Sequence, residues 1–200
     1  MSLQPIIEDL ARCGWSLQER FVEQPLIDAL AEECRQRESL GELEPAGVGR
    51  AAGLAVREGV RGDRIRWIEV GQSPACDRYL THMEALRQEL NRAFFLGLEE
   101  FECHFAFYPP GAFYKTHLDC FRDDDSRIVT VVLYLNTEWQ SADGGCMRMH
   151  LRQGPALDVA PLAGNLVVFL SAEVPHEVLP TQRDRLSLTG WFRRRAARLL

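Results

Sequence analysis

The sequence predicts an α+β fold in which helices come first and an all-β sandwich or barrel follows. Three observations carry this. Apolar residues recur at helical spacing in the first hundred residues, period-two runs of aromatic and β-branched residues fill the second hundred, and turn chemistry separates those runs. Residues 4–13 and 25–38 read as helices. In the second, Leu26, Ile27, Leu30, Ala31 and Cys34 share one face, Pro25 suits the first turn and Gly41 follows the end. Residues 41–60 change character, with glycines at 41, 47, 49, 53 and 59 and Pro45, the composition of a mobile loop long enough to act as a lid. Ser73–Pro74 opens a third helix whose expected buried stripe is Leu80, Met83, Leu86, Leu90 and Phe94. From residue 101 the expected strands are Phe101–Tyr108, Arg127–Leu135, Cys146–Leu151, Asn165–Leu170 and Leu186–Phe192. Pro109–Pro110–Gly111, Asp143–Gly144–Gly145 and Ala163–Gly164–Asn165 supply turns between them.

The bulk properties bound the function. At 200 residues the chain is read as a single domain spanning 1–200, with a helical support over 1–100 that carries a mobile substrate loop at 41–63, and a β core over 101–194. A net charge of −6 argues against a dedicated binder of nucleic acid or of an anionic membrane. The longest apolar runs, Val131–Leu135 and Leu166–Leu170, fall far short of the ~20 residues that span a bilayer, and no secretory leader is visible. Six cysteines are scattered with no CxxC pair, so free thiols in a reducing cytoplasm are expected rather than a thiolate zinc site. Of 23 basic residues only Lys115 is a lysine, a bias that points to GC-rich coding and a bacterial source.

The chemistry gathers around His117 and Asp119. In an extended segment, residues two apart point the same way and can share one metal ion. A further imidazole, His176, follows Pro175 just beyond an apolar strand. Two histidines and one carboxylate are the facial ligand set of non-haem iron(II) oxygenases, and the same donors also suit catalytic zinc. Nine residues on, Arg185 opens a strand whose alternation places Arg185, Ser187, Thr189 and Trp191 on one face and Leu186, Leu188 and Phe192 on the other. An inward-facing arginine needs an anionic partner, and a dicarboxylate cosubstrate would supply it in bidentate geometry. In Arg127–Leu135 the residues Thr130, Val132 and Tyr134 share a face, so the Tyr134 hydroxyl can join the same carboxylate.

Tyr108–Pro109, His117–Leu118–Asp119, Arg127 with Val129–Thr130, Tyr134–Leu135–Asn136, Gly144–Gly145, Pro175–His176–Glu177–Val178 with Pro180, and then Arg185, Thr189 and Trp191 follow one another in an order that resembles the prolyl 4-hydroxylases of the 2-oxoglutarate/iron(II) oxygenase superfamily. Within that superfamily the pattern is nearest to the hypoxia-inducible-factor prolyl hydroxylases and their bacterial relatives, and Arg61–Gly62–Asp63, Ile65 and Trp67–Ile68–Glu69 extend it upstream. The resemblance implies a double-stranded β-helix (jelly-roll, cupin-like) core. It implies Fe(II) held by His117, Asp119 and His176, and 2-oxoglutarate held by Arg185 with Tyr134, Thr189 and Tyr108, with O2 as the oxidant and ascorbate as a supporting reductant. It further implies a substrate groove lined by Arg61, Asp63, Trp67, Tyr114, Arg127 and Trp191, in which Asp63 pairs with Arg127. The implied reaction is 4-hydroxylation of a prolyl residue on an exposed loop of a protein, with elongation factor Tu the expected substrate.

Other features have plainer readings. Asp123–Asp124–Asp125 reads as a solvated loop and Arg193–Arg194–Arg195 as an exposed basic tail. His82, His104 and His150 have no partner at ligand spacing and read as structural. Two alternatives remain at this point: a related oxygenase acting on a small molecule or another side chain, and a catalytically silent jelly-roll binding module.

Overall fold

The computed structural model describes residues 2–48, 55–56, 59–120 and 126–194, and the Asp123–Asp125 loop, the end of the basic tail and part of the expected 41–63 loop lie outside them. Among these residues three α-helices and thirteen strands follow in chain order: α1 (Gln4–Cys13), β1 (Trp15–Gln18), α2 (Gln24–Ser39), β2 (Glu44–Pro45), β3 (Gly47–Val48), β4 (Ala55–Val56), β5 (Arg64–Trp67), α3 (Pro74–Phe94), β6 (Leu98–Tyr108), β7 (Tyr114–His117), β8 (Arg127–Tyr134), β9 (Met147–Met149), β10 (Leu157–Val159), β11 (Leu166–Leu170), β12 (His176–Val178) and β13 (Arg185–Arg194). A seven-stranded sheet runs β1-β11-β8-β13-β6-β5-β2 and faces a four-stranded sheet β10-β9-β12-β7. From β7 onward the chain crosses repeatedly between the two sheets, and all pairings within them are antiparallel, which makes a jelly-roll.

The α+β expectation therefore holds, with the helices packed on the outer face of the large sheet. Alternation along the central strands creates the two interiors. Val129, Val131 and Leu133 of β8 and Leu186, Leu188 and Phe192 of β13 face the helices, where Leu26, Ile27, Leu30, Met83, Leu86 and Leu90 meet them. Val132 and Tyr134 point the other way, against Met147, Met149, Val167 and Phe169 between the sheets. Full burial of each such aliphatic side chain contributes roughly 1.5–3 kcal/mol, so this double-sided core fixes the strand order that the site depends on.

Several expectations are corrected in detail. The buried stripe of α3 is Cys76, Tyr79, Met83, Leu86 and Leu90, while Leu80 and Phe94 only flank it, because the helix turns its 76/79/83/86/90 row to the sheet. The expected Cys146–Leu151 strand shrinks to β9, and the 41–60 segment carries β2, β3 and β4 rather than loop alone. The strands β1, β5, β7, β10 and β12 were not legible as runs: each has three or four residues and takes its conformation from its neighbours in the sheet.

Candidate active site

Strand pairing assembles the site. β12 and β7 are antiparallel neighbours in a register that sets His176 directly opposite His117, and their ring centroids lie 4.3 Å apart. Asp119 sits two residues past His117, beyond the end of β7, yet still turns inward: its Oδ1 is 3.5 Å from His117 Nε2 and its Oδ2 3.6 Å from His176 Nε2. These three ligand atoms all lie within 4.8 Å of one another, and they form the one such cluster of metal-binding side chains among the described residues. The donor set fits a divalent ion. His117 Nδ1 donates to the Lys115 carbonyl at 2.8 Å and His176 Nδ1 to the Val174 carbonyl at 3.1 Å, which leaves both Nε2 lone pairs directed at the shared centre.

Electrostatics match. Burial drives the His176 imidazole toward its neutral form, the state a metal ligand needs. For Asp119 burial opposes ionisation, but the His176 imidazole and then His117 outweigh it and hold the carboxyl well below its usual range. Thr130 Oγ1 donates to Asp119 Oδ2 at 2.9 Å, and Ser171 Oγ lies 2.9 Å from the same Thr130 oxygen. The Tyr114 ring stacks on His117 at 3.6 Å with only 16° between planes, and the Arg61 guanidinium covers its other face at 4.4 Å.

Three adjacent strands of the large sheet build the other wall. Register places Arg185 of β13 beside Tyr108 of β6, Ser187 between Ala106 and Tyr134, Thr189 between His104 and Val132, and Trp191 between Glu102 and Thr130. Arg185 is 2% exposed, and no carboxylate among the described residues pairs with it. Its Nε donates to the Gly145 carbonyl at 2.7 Å, and its guanidinium lies 5.0 Å from the Tyr108 ring centre and 5.1 Å from that of Tyr134. Glycine is required at 145, where φ is +65° and a Cβ would come within 3.1 Å of Arg185 Cδ. The Tyr134 hydroxyl is buried without a hydrogen-bond partner, and burial pushes its pKa up to about 12, so it is a proton donor waiting for an acceptor. A buried cation beside a buried orphan hydroxyl is costly unless an anion joins them.

Both walls open into one cavity of about 560 Å³, lined by the metal-ligand cluster, Arg185, Thr189, Trp191, Tyr108, Tyr114, Arg127, Arg61 and Trp67. Of the expected residues only Tyr134 and Asp63 stand just behind the lining. The expected Asp63–Arg127 pair is corrected: Asp63 is held in two hydrogen bonds by Arg61 (2.7 and 2.5 Å), whereas Arg127 donates to Glu102 at 2.9 Å and stacks over Trp191 at 3.5 Å. Asp63 lies just before β5, only two residues from Arg61, whereas Arg127 on β8 stands beside Glu102 on β6, the two strands that flank β13. His104, read from the sequence as structural, also faces the cavity. It is 3% exposed, lines the cavity, touches Trp67 and Trp191 with ring centroids at 5.1 and 5.5 Å, and is kept neutral by burial, its pKa pushed down to about 4. The signal was present, since 104, 106 and 108 share one face of β6.

Residues 103–193 match the model of the 2OG-Fe(II) oxygenase superfamily. A prolyl-4-hydroxylase from Pseudomonas putida, known as a crystal structure, is 58% identical and superposes with a TM-score of 0.90 over 97% of this chain and all of that one. A prolyl hydroxylase from Trichoplax adhaerens, solved in complex with a hypoxia-inducible-factor oxygen-degradation-domain peptide, is 27% identical with a TM-score of 0.83, covering 95% of this chain and 88% of that one. Human prolyl hydroxylase EGLN3 is 29% identical over 96% of this chain and 83% of its own length.

Proposed function

This chain belongs to the 2OG-Fe(II) oxygenase superfamily, in its prolyl hydroxylase branch, and from that premise we propose that it is a prolyl 4-hydroxylase acting on an exposed loop of a protein. The observation that carries the reading is Arg185: among the described residues a buried cation without an acidic partner, lining the same cavity as a His–Asp–His cluster. In this reading His117, Asp119 and His176 hold Fe(II). Arg185 binds the distal carboxylate of 2-oxoglutarate through its two terminal nitrogens, Tyr134 donates its hydroxyl to the same group, and Thr189 and Tyr108 flank it. When bound, Fe(II) with 2-oxoglutarate and O2 supplies the oxidising chemistry that replaces a C–H bond by C–OH, the cosubstrate leaving as succinate and carbon dioxide.

The protein's own part is positioning. The Arg127 guanidinium laid on the Trp191 indole and the half-exposed Trp67 form the cavity rim, suited to the rigid ring of a prolyl residue presented by a flexible loop. Arg61 has all three guanidinium nitrogens and one planar face engaged, by Asp63, the Gly47 carbonyl and Tyr114, so it acts by holding that rim rather than by reaching out. Residues 1–200 work as one catalytic domain, with ascorbate maintaining the reduced metal. No helix among the described residues is long and apolar enough to cross a membrane. The setting we propose is a bacterial cytoplasm, and the substrate elongation factor Tu.

The test is mass spectrometry of purified elongation factor Tu after incubation with the protein, Fe(II), 2-oxoglutarate and air, with His117→Ala alongside. One added oxygen on one prolyl residue, absent with the variant, is the expected result. Succinate formed without any added oxygen would discard this substrate and keep the oxygenase. Absence of both would discard the activity.

A further inference from the structure

Thr130 and Ser171 are fully buried hydroxyls with a direction. Thr130 Oγ1 lies 2.9 Å from Asp119 Oδ2 and 2.9 Å from Ser171 Oγ, and both residues are 0% exposed. A carboxylate only accepts hydrogen bonds, so the Thr130 proton goes to Asp119 and the Ser171 proton must go to Thr130. The relay is Ser171→Thr130→Asp119. The strands explain why it forms. Thr130 lies on the inward face of β8, opposite Phe169 of β11, and Ser171 follows two residues after Phe169 on the same side, while the Phe169 ring packs edge-on against His176 at 4.8 Å. Asp119 itself has left strand β7, so no backbone ladder holds its side chain at that point.

We propose that Thr130, oriented by Ser171, is a positioning residue that pins the Asp119 carboxylate toward the two imidazoles and thereby sets the site's affinity for a divalent ion. The inference rests on the reading of His117, Asp119 and His176 as a metal centre. A carboxylate otherwise rotates about its Cβ–Cγ bond, and that freedom must be given up on binding. One hydrogen bond to Oδ2 restricts it beforehand and keeps Oδ1 facing the imidazoles, 3.5 Å from His117 Nε2. A threonine kept merely for packing has no need of a second hydroxyl behind it, whereas a directional donor does.

The experiment is titration of metal-stripped protein with Mn(II), free ion being read by electron paramagnetic resonance, for the parent, Thr130→Val, Thr130→Ser, Ser171→Ala and His117→Ala. Thermal unfolding of each is recorded in chelator and in saturating Mn(II). Loss of an outer partner of a metal ligand typically weakens binding about 10- to 100-fold, and that is expected for Thr130→Val. Thr130→Ser should restore parental binding, and Ser171→Ala should weaken it in the same direction by less. The stabilisation by Mn(II) should shrink in step with affinity. A purely structural role would lower the unfolding temperature of Thr130→Val in chelator and leave Mn(II) affinity at the parental value, which overturns the proposal. If Thr130→Val does not fold, Ser171→Ala decides: weakened binding supports the relay and parental binding overturns it. If the folded parent binds no Mn(II), or binds no better than His117→Ala, the metal-centre reading falls and the relay with it.

Discussion

Replacing Arg185 by methionine separates cosubstrate binding from folding. The side chain is 2% exposed, and among the described residues its hydrogen bond to the backbone runs from Nε to the Gly145 carbonyl at 2.7 Å. Methionine fills a similar volume, so the fold loses one charge-assisted hydrogen bond, about 1.5–3 kcal/mol, and is relieved of a desolvated cation with no acidic partner. These oppose each other, and the unfolding temperature without 2-oxoglutarate should change by only a few degrees. Binding has no such offset. Truncating one partner of a buried charge pair costs about 2–5 kcal/mol, or about 30-fold to several-thousand-fold in affinity. The assay is anaerobic calorimetric titration of Mn(II)-loaded protein with 2-oxoglutarate, backed by succinate formation against cosubstrate concentration. Metal affinity, measured in parallel, should stay parental, because Arg185 is not among the clustered ligand atoms. An unchanged 2-oxoglutarate affinity would refute the argument that an unpartnered buried guanidinium marks a carboxylate site.

Three further outcomes follow from the same structure. Tyr134→Phe removes a buried hydroxyl that has no partner, so the protein without cosubstrate should be as stable as the parent or slightly more so, while 2-oxoglutarate binding weakens about tenfold, near 1.4 kcal/mol; chemical denaturation and calorimetry report the two effects. Burial pushes the His104 imidazole down to about 4 from its ordinary 6.5, so below 6.5 the unfolded chain binds more protons and stability falls as pH is lowered, by about 3 kcal/mol on reaching pH 4; His104→Leu should lose that part of the slope in urea unfolding measured from pH 7 to 4. Gly190→Ala brings a Cβ within 2.8 Å of the Glu102 carbonyl oxygen and 2.7 Å of Cys103 Cβ at the middle of β13, and overpacking of that kind costs about 1–3 kcal/mol or more, visible as a lowered unfolding temperature with metal affinity retained if the strand register survives.

Read alone, the sequence determined the class of fold, because hydrophobic period is a local property: the 3.6-residue stripe of α2 and the alternation of Arg127–Tyr134 and Arg185–Phe192 survived into the structure with their faces as expected. Two-residue spacing and strand alternation also put His117 beside Asp119, and Arg185, Ser187, Thr189 and Trp191 on one face, and the structure keeps both groupings. Tertiary structure decided what depends on partners distant in sequence. Short strands such as β7 and β12 exist only because each is paired, and their register is what sets His117 against His176. Whether Asp63 meets Arg127 or Arg61 was a choice between a cation on β8 and one two residues away, and reach settled it in favour of Arg61. Thr130 and Ser171 stand 41 residues apart, and a hydroxyl carries no hydrophobic period, so only the packing of β8 against β11 could bring them behind Asp119.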